Sequence, residues 1–361
     1  MKIKWLYVRN FRGFDDLALE FETGINEIVG KNAQGKTSLL EAIYLCMTGS
    51  SFRTSSVRDL IKYEKEGFFI EIGFEKEGIT YKLQFSFDGQ KRRIFLNNRP
   101  CPSVTSLIGQ LLGVLCTPDV QELVKGAPSA RRHFLDLSLA QIDPLYVYHL
   151  SRYTRALKQR NSLLKAKDLR TITVWEKELA HSATYITAAR LKIVGALKEH
   201  LVDYFDKFAQ NTSKELSLEY TTRAIGKADE MRAYFEEEFN KKRLREMAFG
   251  STLVGPHRDD LLVFMGKKNV RDFASEGEMR LVAISLKLAE WQYLKSHMDF
   301  APLLLIDDFG AYLDKERVAR LSDVICTFGQ VFISAHATNQ ILGAKSKTFI
   351  LDSGKILVAH G

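Results

Sequence analysis

Gly30-Lys31-Asn32-Ala33-Gln34-Gly35-Lys36-Thr37 is the most informative stretch of this chain. The run has the form G-x-x-x-x-G-K-T, and its flanks are the ones such a loop needs. Ile25 to Val29 before it is a short apolar segment that reads as a buried strand, and Ser38 to Met47 after it is apolar at helical spacing. A strand, a glycine loop and a helix N-terminus bring free backbone N–H groups and the positive end of a helix dipole to one point, which is an anion cradle. Gly30, Lys31, Asn32, Ala33, Gln34, Gly35 and Ser38 would line it. Lys36 would reach the β- and γ-phosphates of ATP, and the Thr37 hydroxyl would ligate Mg²⁺.

The second half of such a site is expected far downstream. Pro302-Leu303-Leu304-Leu305-Ile306-Asp307-Asp308 is an apolar strand ending in two acids. A buried strand that delivers a carboxylate at its C-terminal end suits the Walker B role: Asp307 for the metal, Asp308 to orient or deprotonate the attacking water. Ile333-Ser334-Ala335-His336 ends another strand, and His336 is either a γ-phosphate sensor or a packed or solvent-facing residue. Ala274-Ser275-Glu276-Gly277-Glu278 opens a long amphipathic helix, where a serine and a glycine offer a hydroxyl and N–H groups to an anion.

The 361 residues have room for two domains, or for one domain with a large insertion. No apolar run approaches the roughly 20 residues of a membrane span, and the N-terminus lacks a cleavable signal's long apolar stretch. Cys46, Cys101, Cys116 and Cys326 are scattered without a C-x-x-C pair, which argues against a zinc site and a disulfide framework. A cytoplasmic protein without a membrane partner is the expectation. The formal charge of +8 leans toward polyanionic partners. Residues 151–170 carry Arg152, Arg155, Lys158, Arg160, Lys165, Lys167 and Arg170 against one acid, Asp168, with Tyr146, Tyr148 and Tyr153 interleaved. Arg152, Arg155 and Lys158 are candidate DNA contacts, with a solvated helix face as the alternative, and Arg131 and Arg132 upstream either contact phosphate too or pair with acids such as Asp136.

Period-two alternation over 68–74, 81–87 and 93–96 predicts an antiparallel meander in the first 115 residues. From about 129 to 247 the pattern turns helical, with a strand at 216–220. Alternating helix and strand return from about 251: helix 279–294, strand 303–306, helix 315–326, strand 330–334 and a hairpin near 349–358. The fold class is therefore α/β: a P-loop ATPase head with a mixed sheet and a β-meander. The head is expected over 1–115 and 251–361, and a mainly helical lobe over 116–250.

The chain resembles the RecF family of bacterial recombination mediators, whose ATPase head is similar to those of ABC and SMC proteins. The resemblance spans nearly the whole chain. It rests on Asn10-Phe11-Arg12, the Gly30–Thr37 loop, Ser51-Phe52-Arg53-Thr54, Pro118-Asp119, Leu123-Val124-Lys125-Gly126 and Arg131-Arg132-x-Phe134-Leu135-Asp136. It continues in Gly255-Pro256-His257-Arg258-Asp259-Asp260, Ser275–Arg280, Asp307-Asp308 and Leu313-Asp314. It implies ATP sandwiched in a homodimer, Ser275 and Gly277 on the partner's γ-phosphate, and Arg12 near the nucleotide. It further implies double-stranded and gapped DNA as ligands, RecR- and RecO-like mediators as partners, recombinase loading as the outcome, and slow, DNA-stimulated hydrolysis. Glu276 and Glu278 depart from the family's usual S-Q-G-Q, and Phe309–Asp314 from its S-E-L-D loop, which leaves a non-hydrolysing, ATP-gated DNA binder as an alternative. A chromosome-organising SMC head would need long heptad arms, for which 129–247 is too short and irregular. His257-Arg258-Asp259 and Asp308-Phe309-Gly310 resemble kinase motifs only superficially, since no G-x-G-x-x-G loop or V-A-I-K lysine accompanies them.

Overall fold

In a computed structural model the described residues are 1–208, 215–310, 315–336, 346–352 and 355–360. The chain divides into two compact units. The first comprises Met1–Val120, Tyr204–Thr212 and Arg280–Gly361, the second Gln121–Asp203 and Ser213–Met279.

The first unit is built on a six-stranded sheet. From one edge its strands are Lys355–His360, Ser346–Asp352, Ile25–Gly30, Val331–Ala335, Leu303–Ile306 and Gly113–Cys116. All neighbours run parallel except the outer Lys355–His360 strand. Strands buried on both faces read as continuous apolar runs, and Ile25–Gly30, Val331–Ala335, Leu303–Ile306 and Gly113–Cys116 are buried at every position. The helix Lys36–Thr48 follows the glycine loop, and its Leu39, Leu40, Ala42, Ile43, Leu45 and Cys46 are fully buried. It is apolar nearly all round because it lies in one core with both sheets of this unit. The second sheet is the expected meander, enlarged by the N-terminal hairpin: Phe14–Glu20, Lys2–Phe11, Phe68–Lys76, Ile79–Phe87, Arg92–Leu96 and Arg99–Pro100, all antiparallel.

The second unit holds the helices Pro128–Ala140, Pro144–Ala166 and Ala228–Phe249, most of the 37-residue helix Ile172–Phe208, and a small sheet. The sheet corrects the expected domain boundary. Asp260–Met265 pairs antiparallel with Leu216–Thr221 in unbroken register, from Asp260 opposite Thr221 to Met265 opposite Leu216. Residues 251–279 therefore belong with the lobe, and the boundary expected after residue 250 moves to Met279.

Charge is buried throughout this unit. Arg160 is fully buried between Glu246 (2.6 Å) and Glu176 (2.9 Å), and Arg190 between Asp136 (2.6 Å) and the Pro256 carbonyl (2.7 Å). Removing one partner of such a pair leaves an uncompensated buried charge, which is strongly destabilising. Beside them, burial pushes the His257 imidazole down to about 4 and the Asp259 carboxyl up to about 6. Between about pH 4 and 6.5 the unfolded chain binds a proton that His257 refuses, so this residue makes stability rise with pH. Between about 3.8 and 6 Asp259 keeps a proton that the unfolded chain has released, so it makes stability fall. The two slopes cancel where they overlap. Asp259→Asn is thus expected to leave the His257 effect unopposed, steepening stability against pH by ~1.4 kcal/mol per unit between pH 4.5 and 6. Urea unfolding of both proteins across that range measures the difference, and equal slopes contradict it.

Candidate nucleotide site

Three adjacent parallel strands end at one place, the edge of an open α/β sheet where ligands bind. Ile25–Gly30 delivers the glycine loop, Leu303–Ile306 delivers Asp307, and Val331–Ala335 delivers Ser334 and then His336. Around them lies a cavity of about 820 Å³. Asn32, Ala33, Gln34, Gly35, Lys36, Thr37, Ser38, Arg12, Asp307, Asp308 and His336, all expected from sequence, line it; so do Arg53 and Ser334.

The loop is held open by local geometry. Gly35 has φ 101°, and a Cβ there would lie 2.7 Å from the Phe14 ring, so no other residue fits. Lys36 is 7% exposed and donates to the carbonyls of Gly30 (2.6 Å) and Lys31 (3.0 Å). Burial lowers its pKa, the state of an ammonium that gains when an anion arrives.

Asp307 is the centre of the opposite wall. Its Oδ1 accepts from the Thr37 hydroxyl (2.9 Å) and from the Ser334 hydroxyl (2.6 Å). Burial raises its pKa against those two hydrogen bonds, and the Arg53 charge also opposes the rise. A buried carboxylate oxygen beside a threonine hydroxyl is the oxygen donor pair that a hard divalent cation prefers. Among the described residues no group of three or more His, Cys, Asp or Glu could hold a metal alone. A cation here would share its shell with phosphate oxygens and water, as Mg²⁺ does. Asp308 adopts φ 55°, uncommon for a residue with a side chain, and its N–H meets Ser334 Oγ at 2.7 Å. His336 Nε2 lies 3.1 Å from Asp308 Oδ1, so the two residues named from sequence as water-activating and sensing groups are neighbours.

Arg12 grips Glu41 with two bonds, Nε to Oε2 at 2.8 Å and Nη2 to Oε1 at 2.6 Å. Glu41 is fully buried and also takes the Ser51 hydroxyl (2.5 Å) and Arg53 (3.5 Å). Arg53 lines the cavity without being marked in the sequence, where nothing in its spacing sets it apart and it stands only in the Ser51–Thr54 stretch that carries the family resemblance. Glu41 on the loop's own helix thus anchors both arginines of the cavity wall. Glu41→Gln is expected to weaken nucleotide binding about tenfold by loosening them, read by titration with a fluorescent ATP analogue; unaltered affinity contradicts that role.

Ser275 and Gly277 belong to the second unit and are not among the residues lining this cavity. Ser275 is exposed at the start of the helix Glu276–Ser296. Its Oγ accepts from the Glu278 N–H (3.3 Å), while Glu278 Oε2 accepts from the Ser275 N–H (2.9 Å). This reciprocal cap works with Glu or Gln at that position, which accounts for Glu278. The loop departure at Ala311–Asp314, with the Leu313-Asp314 match, lies outside the described residues.

The basic residues are sorted by burial. Arg131 is 2% exposed, with Nε and Nη2 both 2.7 Å from Asp260 and Nη1 on the Val124 and Gly126 carbonyls. It is a structural residue, which corrects its assignment to DNA. Arg132 is half-buried and donates to the Asp259 carbonyl at 2.9 Å. Arg160 is withdrawn from the basic run by its burial, as Tyr146 and Tyr153 are from the interleaved aromatics. Arg152, Arg155 and Lys158 remain exposed on one side of Pro144–Ala166. Arg152 is engaged by Glu178 and Tyr148, while among the described residues Arg155 and Lys158 have no ion-pair partner.

A family model for the RecF/RecN/SMC N terminal domain matches residues 2–354. The DNA replication and repair protein RecF of Protochlamydia amoebophila (strain UWE25) is 44% identical over 341 residues, 92% of this chain and 94% of that protein. The chain belongs to the RecF family. A solved recombination mediator protein, RecF with ATP in the RecFOR pathway, superposes with a TM-score of 0.91 at 28% identity, covering 99% of this chain and 97% of that one. An Smc head bound to the C-winged helix domain of ScpA superposes at 0.60 with 16% identity, covering 100% and 98%; this shows the fold alone. The architecture of this RecF-family chain is therefore the ABC/SMC-type ATPase head read from its sequence, and it is a DNA replication and repair protein by family.

Proposed function

We propose that this chain is an ATP-dependent, DNA-binding recombination mediator that dimerises on ATP and, with RecR- and RecO-like partners, promotes recombinase loading on gapped DNA in the cytoplasm. The observation that carries the reading is the contact of Asp307 with Thr37 across the cavity, with Lys36 folded onto its own loop beside it. In this reading Lys36 exchanges the Gly30 and Lys31 carbonyls for β- and γ-phosphate oxygens, and Thr37 and Asp307 hold Mg²⁺. The cation, when bound, neutralises charge developing on the phosphoryl oxygens. Asp308 positions water near His336. Ser275, exposed at a helix start, and the half-buried Gly277 beside it complete the cavity of a second copy, and hydrolysis separates the copies.

DNA would track the exposed face of Pro144–Ala166. Arg155 and Lys158 are available to phosphates, and Arg152 can exchange Glu178 for one. Replacing Arg152, Arg155 and Lys158 together by Glu should weaken duplex binding and flatten its salt dependence, since each lost phosphate contact removes about 0.9 from the slope of log affinity on log salt. Fluorescence anisotropy with a labelled gapped duplex over a salt series measures this, and an unaltered slope returns the helix face to solvent. Phosphate release with and without gapped DNA tests turnover: no stimulation above background favours the non-hydrolysing alternative.

A further inference from the structure

The family motif Gly255–Asp260 has no part in the nucleotide cavity, yet much of the second unit is built to hold it. Arg190 donates to the Pro256 carbonyl at 2.7 Å and Arg132 to the Asp259 carbonyl at 2.9 Å. His257 is fixed between the Tyr153 hydroxyl (2.5 Å) and the Thr252 carbonyl (3.1 Å). Gly255 has φ 125°, and a Cβ there would lie 2.3 Å from Tyr153 Oη, so the loop is pressed against its support. Two arginines spent on the carbonyls of one loop fix its backbone, as the supporting shell of a binding site does.

That rigid loop forms one wall of a cavity of about 470 Å³, lined also by Arg223, Lys242, Tyr234 and Glu219. Its charges are not balanced in pairs. Lys242 is held by Glu238 at 2.6 Å. Arg258 is exposed and, among the described residues, bonds only a neutral group, the Thr252 carbonyl, from Nε (3.2 Å) and Nη2 (3.0 Å). Arg223 is exposed, and among the described residues no carboxylate lies within ion-pair distance of either arginine. Of the two acids on the wall, Asp259 is committed to the Tyr220 hydroxyl at 2.9 Å, and Glu219 is exposed on the strand Leu216–Thr221. Two guanidiniums without carboxylates, one of them fixed by its loop, beside a half-buried tyrosine ring, suit a phosphate carrying an organic group.

We propose that this cavity is a second phosphate site, which binds a phosphomonoester through Arg223 and Arg258. The group could come from a free nucleotide or from the terminal phosphate of a DNA strand. A duplex interior offers only diesters, so this site reads something that the exposed face of Pro144–Ala166 does not. The proposal does not depend on the reading of the ATP cavity.

The test uses the full chain carrying Lys36→Met, which silences the glycine loop, and a short fluorescein-labelled single strand with a 5′-phosphate, a 3′-phosphate or neither. A terminal phosphate should tighten binding about tenfold or more, and Arg223→Gln with Arg258→Gln should erase that gain while leaving binding of the unphosphorylated strand in place. AMP that competes with the phosphorylated strand assigns the site to free nucleotides, and AMP that does not compete assigns it to strand ends. Equal binding of all three strands together with no binding of AMP overturns the proposal, as does a phosphate preference that survives the double substitution. Arg223→Gln alone, at an exposed position that cannot unfold the unit, should remove part of the gain and so keeps the test independent of folding.

Discussion

Lys36→Met is expected to lower ATP affinity at least about 100-fold, ~3 kcal/mol, while leaving the fold in place. The ammonium is nearly buried, and its hydrogen bonds among the described residues go to two carbonyls of its own loop. It is under-solvated for a full charge, which is why burial lowers its pKa, and a triphosphate offers it charged oxygens in place of neutral ones. Methionine keeps the aliphatic stem and loses the charge. The helix behind it is secured by an apolar core that the substitution does not touch, so unfolding free energy should shift by no more than about 1 kcal/mol. Equilibrium titration with a fluorescent ATP analogue reads the affinity and urea unfolding reads the fold. Wild-type affinity in this variant would remove the glycine loop from the account.

Ser275→Arg is expected to abolish ATP-dependent dimerisation while each subunit still binds ATP. The residue is exposed at the start of Glu276–Ser296, and its loss removes a cap worth about 1 kcal/mol, too little to unfold the unit. In a sandwich the same position must approach the partner's γ-phosphate closely, and a long side chain prevents that approach. Normal dimerisation of this variant contradicts the shared site, and Ser275→Ala, which removes only the hydroxyl, should weaken the dimer without abolishing it.

The nucleotide half of this molecule was legible because its chemistry is local in sequence. The loop needs Gly35 at positive φ, Lys36 and Thr37 at fixed spacing and a buried strand before them, and Asp307 ends a four-residue apolar strand that reads by itself. The meander was legible because one face of each strand is buried, which imposes period two. The lobe was less so. Asp260–Met265 pairs with Leu216–Thr221 across some forty residues, a non-local register that no local pattern announces, and the domain boundary was misplaced as a result. The roles of its arginines were hidden for a similar reason. Arg131, Arg152, Arg155 and Arg160 look alike in a basic sequence, and only the positions of Asp260, Glu176 and Glu246 decide which are buried partners and which face water. Arg53 was hidden too, since Glu41, twelve residues upstream, brings it to the cavity.

In the proposed function ATP joins two copies of this chain through a site that neither completes alone. Sedimentation velocity of the wild-type protein with Mg²⁺, with and without ATP and gapped DNA, measures this. The expected result is a monomer without nucleotide, a dimer with ATP that gapped DNA further stabilises, and a monomer in every condition for Ser275→Arg. A wild-type protein that remains monomeric while saturated with ATP contradicts it.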